Sequence, residues 1–399
     1  MVYRCRAYPN PEQQALLRRT FGCVRLVWNR SLAERQIRFS AEGKSTSYAE
    51  TDRALTGWKK TDELTFLNEV SAVPLQQVLR HQHAAFASFY AGRARYPRFK
   101  SRDGRQTAHF TRAGFRVRDG ELFLAKTSAT LQFVRSFPDV DPVELNPTMV
   151  VVSLEQDGRW YVTFAVEAAD PAPLAPTDRV VGIDLGLKDL AVMSNGERIA
   201  NPKHLERKSE NLARYQRRMA RCRPGSKNRA KAKQKVAAAH RKVRHARADH
   251  LHRTTARLVR EHDVIVIEDL APANMVKNRH LAKSIHDASW GGLRRQLEYK
   301  ARWAGRRLIV IDRFYPSSKT CSACGYLFTE LSLSTRAWKC PGCRARHDRD
   351  HNAAKNILAA GRVVAVREHG DACGAGVIRQ GSSLPSSVMK QEPSPRPAR

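Results

Sequence analysis

The sequence predicts a multidomain protein that combines α+β and α/β parts. Apolar residues recur at helical spacing through much of the first hundred positions, and two Asp-Gly pairs each separate alternating, strand-like runs. Two later apolar runs are typical of buried core strands, and each ends in an acidic residue. At 399 residues, the chain is long enough for two or three domains with their own cores.

The N-terminal hundred residues are predicted to be largely helical. Asn10 followed by Pro11 is a helix start signal, because asparagine caps a helix and proline suits its first position. Leu17, Phe21 and Val24 then recur at helical spacing, and a second apolar pattern runs through 70–89.

The segment YPRFKSRDGRQ (96–106) combines aromatic and cationic side chains. This combination suits contact with a nucleic-acid backbone and stacking on bases, while a solvated basic loop is the alternative. The candidate nucleic-acid contacts are Tyr96, Arg98, Phe99, Lys100 and Arg102, together with Lys319.

The character of the chain changes to strands from about residue 108 to 170. The run FRVRDGELFLAK alternates around Asp119-Gly120, and VVVSLEQDGRWYVTFAVE alternates around Asp157-Gly158. Two hairpins with Asp-Gly turns predict a small antiparallel sheet or barrel. The segment ADPAPLAPTD (169–178) holds three prolines and is typical of an interdomain linker.

Buried strands and a basic helical stretch follow the linker. VVGID ends in Asp184 and precedes a second strand, while VIVIED (264–269) and the segment RRLIVIDRFYPSSK (306–319) predict further core strands. Between them, 203–260 is predicted to form a helical hairpin broken at Arg223-Pro224-Gly225, with twenty lysines and arginines against three acids. The Ser/Pro-rich end of the chain, 371–399, is predicted to be disordered.

The charge of the chain indicates its partners. There are 71 Lys and Arg against 38 Asp and Glu, a net charge of +33. A long polyanion is the expected partner, with an anionic membrane as the alternative. No apolar run reaches the roughly 18 residues of a spanning helix, and the N-terminus lacks a signal-peptide core, so we expect a cytoplasmic protein that does not enter a membrane.

Four of the eight cysteines form one motif. Cys321, Cys324, Cys340 and Cys343 fit C-x2-C-x15-C-x2-C, the spacing at which two turns deliver four thiolates to one Zn²⁺. All four ligand positions come from the protein, so the predicted zinc is structural; an iron–sulfur cluster or a redox dithiol pair are the alternatives. Arg344 stands where the second turn often prefers glycine.

Three acids are candidate ligands for two magnesium ions. Asp184 and Glu268 each end a buried strand, and Asp350 begins the apparent helix DHNAAKNILAAG. Hard carboxylate oxygens suit Mg²⁺, and two such ions activate water and stabilise a leaving oxygen in phosphodiester hydrolysis. Side chains alternate along a strand, so only one of Glu268 and Asp269 can face this cluster.

Four motifs, GIDLGLKDLAV, VIEDL, PSSKTCSACG and KCPGCRARHDRDHNAAKNI, resemble the transposon-encoded RNA-guided DNA endonucleases called TnpB. The resemblance covers roughly 178–360 and continues more weakly through the N-terminal part. It implies a RuvC-like nuclease domain of the RNase H type with an inserted zinc ribbon, and an N-terminal wedge-type β-barrel with a helical recognition insert.

The resemblance also assigns domains and residues. Asp184, Glu268 and Asp350 match the catalytic acids, which favours Glu268 over Asp269, and Asp348 matches a position that we interpret as a helix cap or support residue. The implied domains are a wedge-type barrel (1–9 and 105–170), a helical recognition domain (10–104), a RuvC-like nuclease domain (178–315 and 345–370) and a zinc ribbon (316–344).

The function so implied is RNA-guided, magnesium-dependent cleavage of double-stranded DNA. The expected partners are a noncoding guide RNA from the same element and target DNA, without a small-molecule substrate, in association with the nucleoid of a prokaryotic cell. DNA strand transfer is one alternative. A catalytically retired RNA-guided regulator is another, and a zinc-ribbon RNA-binding protein without catalysis is a third.

Overall fold

A computed structural model describes residues 1–135, 146–167, 171–332 and 334–372 of the chain. The chain divides into two compact units. The first unit comprises Met1–Pro171 and Lys203–His250, and the second comprises Ala172–Pro202 and the residues from Leu251 onward. Both combine helices and strands, so the predicted mixed α+β and α/β character is confirmed. The predicted disordered tail lies outside the described residues from position 373 on.

The first unit contains an antiparallel sheet and a separate hairpin. Its strands are β1 (Val2–Tyr8), β2 (Gln106–Thr111), β3 (Phe115–Arg118), β4 (Glu121–Leu124), β5 (Gln132–Phe133), β6 (Pro147–Leu154) and β7 (Trp160–Val166). The five-stranded sheet has the order β2-β6-β7-β1-β5, and β3 pairs with β4.

Both predicted hairpins are confirmed. At the tip of the β3–β4 hairpin, Asp119 and Gly120 have φ angles of 51° and 73°, the left-handed conformation that two-residue hairpin turns require.

Three helices of the first unit come from the N-terminal hundred residues. They are α1 (Pro11–Glu42), α2 (Tyr48–Trp58) and α3 (Ala72–Tyr90), with a 3₁₀ segment at Asp62–Glu69. The predicted start of α1 is confirmed, since the Asn10 side chain accepts a hydrogen bond from the Gln13 main-chain N–H and Gln13 returns one to Asn10. Leu17 and Phe21 of α1 pack with the sheet core, whereas Val24 and Val27 pack with the other helices.

The basic stretch forms two helices, as predicted. They are α4 (Ser209–Ala220) and α5 (Lys227–Glu261), and the break lies between them. Three acids of the same unit neutralise part of the basic surface of α5. Lys233 lies 2.8 Å from Asp103 and Arg244 lies 3.3 Å from Glu155, while Arg241 pairs with Asp157 at the turn of the β6–β7 hairpin.

The second unit is built on a mixed five-stranded sheet. Its strands are β8 (Val180–Leu185), β9 (Asp189–Met193), β10 (Arg198–Ala200), β11 (Val264–Glu268) and β12 (Arg307–Ile311), in the order β10-β9-β8-β11-β12. Strands β8, β9 and β10 are antiparallel neighbours, while β8, β11 and β12 run parallel. The core strands predicted from apolar runs are therefore confirmed.

Helices cover both faces of this sheet. The remaining helices are α6 (Pro272–Met275), α7 (Arg279–Ala288), α8 (Trp290–Trp303) and α9 (Arg349–Ala372). Residues of α7, α8 and the end of α5 form one core with the sheet, and Ile357 of α9 forms another with Val266, Ile309 and Ile311. A short hairpin of β13 (Ala337–Lys339) and β14 (Arg346–Asp348) precedes α9.

Two glycines let α9 lie directly on the sheet. A Cβ atom at Gly182 of β8 would overlap the main-chain oxygen of Ala354 and lie 2.6 Å from the Leu358 nitrogen. A Cβ at Gly361 of α9 would lie 2.5 Å from the Val266 methyl groups. Real Cβ atoms essentially never approach so closely, so the absence of side chains at both positions fixes how close α9 comes to β8 and β11.

Among the described residues, no helix is both long enough and apolar enough to cross a membrane. The 35 residues of α5 would suffice in length, but cationic side chains occur throughout this helix.

Candidate active site and metal sites

The sheet register brings two of the predicted catalytic acids side by side. Strands β8 and β11 are parallel neighbours in which Ile183 pairs with Ile267. The next residue of each strand is Asp184 or Glu268, so the two acids lie level with one another at the carboxyl ends of adjacent strands.

The third acid, Asp350, lies in the first turn of α9. Ala354 and Leu358 of this helix pack over Gly182, which lies two residues before Asp184 in β8. The turn that carries Asp350 is therefore held near the carboxyl end of β8. The three acids therefore lie near one another, and the charges of Glu268 and Asp350 both act on the Asp184 carboxyl group.

This cluster has an excess of negative charge. Burial raises the pKa of Asp184, and the carboxylates of Glu268 and Asp350 raise it further, to about 7, although the Arg349 guanidinium opposes them. Burial also raises the pKa of Glu268, while a hydrogen bond from the Ser317 hydroxyl lowers it. A divalent cation would relieve this repulsion, and the hard oxygen donors fit Mg²⁺.

Asp269 has a different environment from its neighbour Glu268. Its carboxylate pairs with the guanidinium groups of Arg294 and Arg313, and the hydrogen bonds that they donate lower its pKa. Two arginines thus neutralise Asp269, whereas the charge of Glu268 acts on Asp184, and the choice of Glu268 as the catalytic acid stays a prediction.

Asp348 supports the start of α9. Its Oδ1 atom accepts a hydrogen bond of 3.0 Å from the main-chain N–H of His351, and Arg198 contacts the same carboxylate at 2.7 Å. Arg198 also contacts Asp189 of β9 at 2.9 Å. The interpretation of Asp348 as a cap and support residue is therefore confirmed.

The four predicted zinc ligands converge. The sulfur atoms of Cys321, Cys324, Cys340 and Cys343 all lie within 4.8 Å of one another. Two of these separations are 3.7 Å and 3.6 Å, close to the edge of about 3.8 Å for a tetrahedron with Zn–S bonds of about 2.3 Å. The cluster is therefore compatible with one structural zinc ion.

The two cysteine pairs are carried by matching turns. The Gly325 N–H donates to the Cys321 carbonyl and the Arg344 N–H donates to the Cys340 carbonyl, each at 2.9 Å. Gly325 has φ 79° and Arg344 has φ 63°, so both residues adopt the left-handed conformation. Position 344 therefore has the backbone conformation that favours glycine, as the sequence indicated. The resulting local strain at Arg344 does not prevent the four sulfur atoms from converging.

The local environment favours a thiolate at Cys340. Burial raises the pKa of its thiol, but hydrogen bonds from the main chain at Cys343 and Gly342 outweigh that effect and lower the pKa to about 7. The His347 Nε2 atom lies 3.1 Å from the Cys321 sulfur, within hydrogen-bond range of a second ligand.

The predicted nucleic-acid contacts near residue 100 form an anchored loop. The Trp28 indole donates to the Arg98 carbonyl at 2.9 Å, and Asn29 of the same helix binds both the N–H and the carbonyl of Lys100. The side chains of Arg98, Phe99 and Arg102 are exposed, as a nucleic-acid contact requires.

The other three predicted contacts have partners within the protein. The Lys100 ammonium lies 4.1 Å from the centroid of the Trp28 ring, and burial lowers its pKa to about 8. Tyr96 packs edge-on against Phe86 and Phe89, and Lys319 donates to the Thr329 carbonyl at 3.2 Å. A role in binding nucleic acid stays a prediction for all six residues.

Sequence reasoning did not single out Ser317, which contacts the acid cluster, or the exposed Phe314. Ser317 donates a hydrogen bond to Glu268, although the motif PSSK that contains it was noted. Phe314 is 85% exposed in the turn that follows β12. Its aromatic character was visible in the sequence, but its exposure depends on the fold.

Comparison with known proteins relates this chain and its fold to known families. The family described as "Probable transposase" matches residues 163–279, a "Cas12f1-like, TNB domain" matches 290–357, and a "Helix-turn-helix domain" matches 1–44. In this chain the last of these ranges contains β1 and one continuous helix, α1. A solved Cas12f1 complex with sgRNA and target DNA has a similar fold, with a TM-score of 0.54, 16% identity, and coverage of 87% of this chain and 83% of the other.

Two curated relatives match over nearly their full lengths. A protein of Streptomyces pristinaespiralis named "Putative RNA-guided DNA endonuclease" is 48% identical over 98% of this chain and 96% of its own length. InsQ of Escherichia coli K12, which carries the same description, is 31% identical over 98% of this chain and 97% of its own length. The chain therefore belongs to the TnpB-like family of OrfB-type insertion-sequence proteins, and the resemblance noted in its motifs is confirmed.

Proposed function

We propose that this protein is an RNA-guided DNA endonuclease whose catalytic acids are Asp184, Glu268 and Asp350. The observation that carries the proposal is that these three carboxylates, far apart in the sequence, come near one another at the ends of two parallel strands and the start of α9. The description of two relatives of nearly equal length as RNA-guided DNA endonucleases supports it.

The proposed nuclease domain, of the RuvC-like, RNase H type, comprises 178–315 and 345–370. Its sheet lies in the second unit, whereas Lys203–His250 belong to the first. Three antiparallel strands followed by two parallel ones, with an acid on β8 and another on β11, support this assignment. The zinc ribbon would be an insertion between β12 and the helix that carries Asp350. The sheet of the first unit, with strands from 1–9 and 105–170, is the proposed wedge-type barrel, and 10–104 is the proposed recognition insert.

The acid cluster has the donor chemistry to hold two Mg²⁺ ions. Bound there, magnesium would supply Lewis-acid stabilisation of the scissile phosphate and would ease deprotonation of the attacking water. The protein side chains hold the cluster in place: Asp348 caps α9 and so orients the turn of Asp350, and Ser317 binds one oxygen of Glu268.

The proposed partners are a guide RNA and double-stranded target DNA. Because base pairing with the guide would select the target, the protein needs cationic surfaces for the nucleic-acid backbones more than it needs side chains that read sequence. The net charge of +33 and the exposed Arg98, Phe99 and Arg102 support such binding.

The proposal is tested by cleavage of a plasmid matched to RNA that copurifies with the protein. Asp184→Ala should leave RNA binding within about twofold of the parent protein but slow cleavage at least about a thousandfold, since a ligand worth several kcal/mol of charge stabilisation is lost. Glu330→Ala, which changes an exposed acid of the ribbon, is the matched control and should cleave normally. Equal cleavage by Asp184→Ala and the parent protein would refute the site.

DNA strand transfer is the second candidate, because the "Probable transposase" family matches 163–279. The same assay separates the two activities. Joining of one DNA to another by the purified protein would favour strand transfer, whereas free double-strand ends would favour hydrolysis. A retired regulator would bind its guided target without cutting it, but such a protein has no need for the three acids that are present here.

A further inference from the structure

One buried serine contacts the proposed catalytic site from the root of the zinc ribbon. Ser317 lies six residues after the end of β12, and it is 7% exposed. Its hydroxyl group donates a hydrogen bond to the Oε1 atom of Glu268. The hydroxyl of the next residue, Ser318, makes no side-chain hydrogen bond within the part of the chain that the structure describes.

The position of Ser317 is fixed by the helix that carries Asp350. Asn356 of α9 donates hydrogen bonds to the Ser317 carbonyl at 2.7 Å and to the Thr320 carbonyl at 2.6 Å. One turn earlier, Asn352 donates to the Thr320 carbonyl at 2.7 Å and accepts from the Ser322 N–H at 2.9 Å.

Both asparagines are almost fully buried, at 1% exposure for Asn352 and 5% for Asn356. Buried amides with satisfied hydrogen bonds hold one geometry, since any shift would leave polar groups unpaired. The segment 317–322 is therefore clamped to α9, and it contains Cys321, the first cysteine of the zinc motif.

We propose that Ser317 is a positioning residue for Glu268. By binding Oε1, the hydroxyl fixes the rotation of the carboxylate, so that Oε2 would be the oxygen available to a cation, while the Asn352–Asn356 clamp sets Ser317 relative to α9, which carries Asp350. The ribbon root thus aligns two of the three catalytic acids. This inference rests on the proposed nuclease function and adds to it a structural role for the ribbon at the catalytic site.

The experiment uses the full-length protein with its copurified RNA and compares matched pairs of variants. Ser317→Ala and Ser318→Ala make the same change at adjacent positions. Ser317→Thr and Ser317→Val place side chains of nearly the same shape at one position, of which only threonine keeps the hydroxyl group. Binding of Mn²⁺ without target DNA is measured by electron paramagnetic resonance, and the Mg²⁺ dependence of plasmid cleavage is measured separately.

Loss of the hydrogen bond should weaken Mn²⁺ binding and raise the Mg²⁺ concentration for half-maximal cleavage about tenfold, which is the scale of one hydrogen bond to a charged group. Ser318→Ala should stay within about twofold of the parent protein in both measurements. Ser317→Thr should bind Mn²⁺ at least about threefold more tightly than Ser317→Val.

The outcomes separate the inference from the function on which it rests. If the parent protein cleaves but Ser317→Ala matches Ser318→Ala in both measurements, the positioning role is wrong and the nuclease function stands. If Ser317→Ala fails to fold, the threonine and valine variants decide, and equal Mn²⁺ binding by these two would overturn the inference. A parent protein that neither cleaves nor binds Mn²⁺ would overturn the proposed function and the inference together.

Discussion

At the scale of single residues, burial and like charge act together on Asp184. Its side chain is partly buried, and the charges of two further carboxylates act on it. Both effects favour the protonated form, so a proton would compete with a cation at the proposed site. Such competition is typical of sites that bind divalent metals through carboxylates.

The pH dependence of stability should reveal this competition. Because the pKa of Asp184 is raised to about 7 in the folded protein, protonation favours folding at low pH, and this contribution is lost as the pH rises through about 7. We expect the melting temperature of the metal-free protein to fall between pH 6 and pH 8 more steeply than that of Asp184→Asn, which stays neutral. Saturating Mg²⁺ should remove the difference, and parallel pH profiles without metal would contradict the prediction.

The two turns of the ribbon offer a reciprocal test of backbone strain. Arg344 adopts φ 63° and Gly325 adopts φ 79° at matching positions. A left-handed conformation costs a residue with a Cβ about 1 kcal/mol more than glycine. Arg344→Gly should therefore slow zinc release to a chelator by about threefold, on the order of 0.5–1 kcal/mol.

The reverse change at the other turn is the control. Gly325→Ala should speed zinc release, although no atom lies within 4 Å of the added Cβ, because the strain lies in the backbone alone. If both variants release zinc at the parent rate, backbone strain at these two positions does not affect how tightly the ribbon holds zinc, and the prediction is wrong.

At the scale of elements, the packing of α9 on β8 decides whether the site exists. Asp184 belongs to the strand and Asp350 to the helix, and the two are brought together only where the helix lies against Gly182. The backbone atoms of Ala354 and Leu358 leave no room for a Cβ. A rigid main-chain contact of this kind cannot relax by rotation of a side chain.

Gly182→Ala should lower the free energy of unfolding by about 3 kcal/mol or more, as overpacking against backbone does. Cleavage should fall even at temperatures where the protein stays folded, since α9 must move away from β8. Gly291→Ala is the matched control in the same unit, because no atom lies within 4 Å of the added methyl group. Thermal unfolding of both variants checks the prediction, and equal melting temperatures would contradict it.

At the scale of the whole molecule, charge dominates. A net charge of +33 opposes the compact state through self-repulsion, and acids such as Asp157 and Glu155 offset only a part of the basic surface of α5. A bound polyanion would neutralise much of the rest. The affinity for RNA should therefore depend strongly on salt.

We expect RNA affinity to fall at least about a thousandfold between 50 and 200 mM salt, as for a protein that makes many phosphate contacts. Arg102→Ala should reduce the slope of log affinity against log salt by about 0.7. Lys100→Ala should change this slope less, because the Lys100 ammonium already lies on the Trp28 ring. Filter binding across a salt series measures both effects, and a larger change for Lys100→Ala would contradict the assignment of exposed contacts.

Local patterns in the sequence were enough to predict most of the elements. The Asn10-Pro11 start of α1, the two Asp-Gly hairpins and the strands β8 and β11 each follow from residues that are close neighbours in the chain. Such features depend on short-range sterics and hydrogen bonds, which the sequence displays directly. The prediction that the four cysteines form one metal site follows in the same way from their spacing.

What the sequence determined by itself was therefore the inventory: the helices and strands, the zinc motif, and the acids suited to a divalent cation. Only the tertiary structure decided which of these groups meet. Residues distant in the chain are joined by the register of β8 with β11, the contact of α9 with Gly182, the hydrogen bond from Ser317 to Glu268, the Asn352–Asn356 clamp on Ser317, and the packing of Lys100 on Trp28. No local pattern encodes such pairings, because their free energy comes from long-range packing that exists only once the chain has folded.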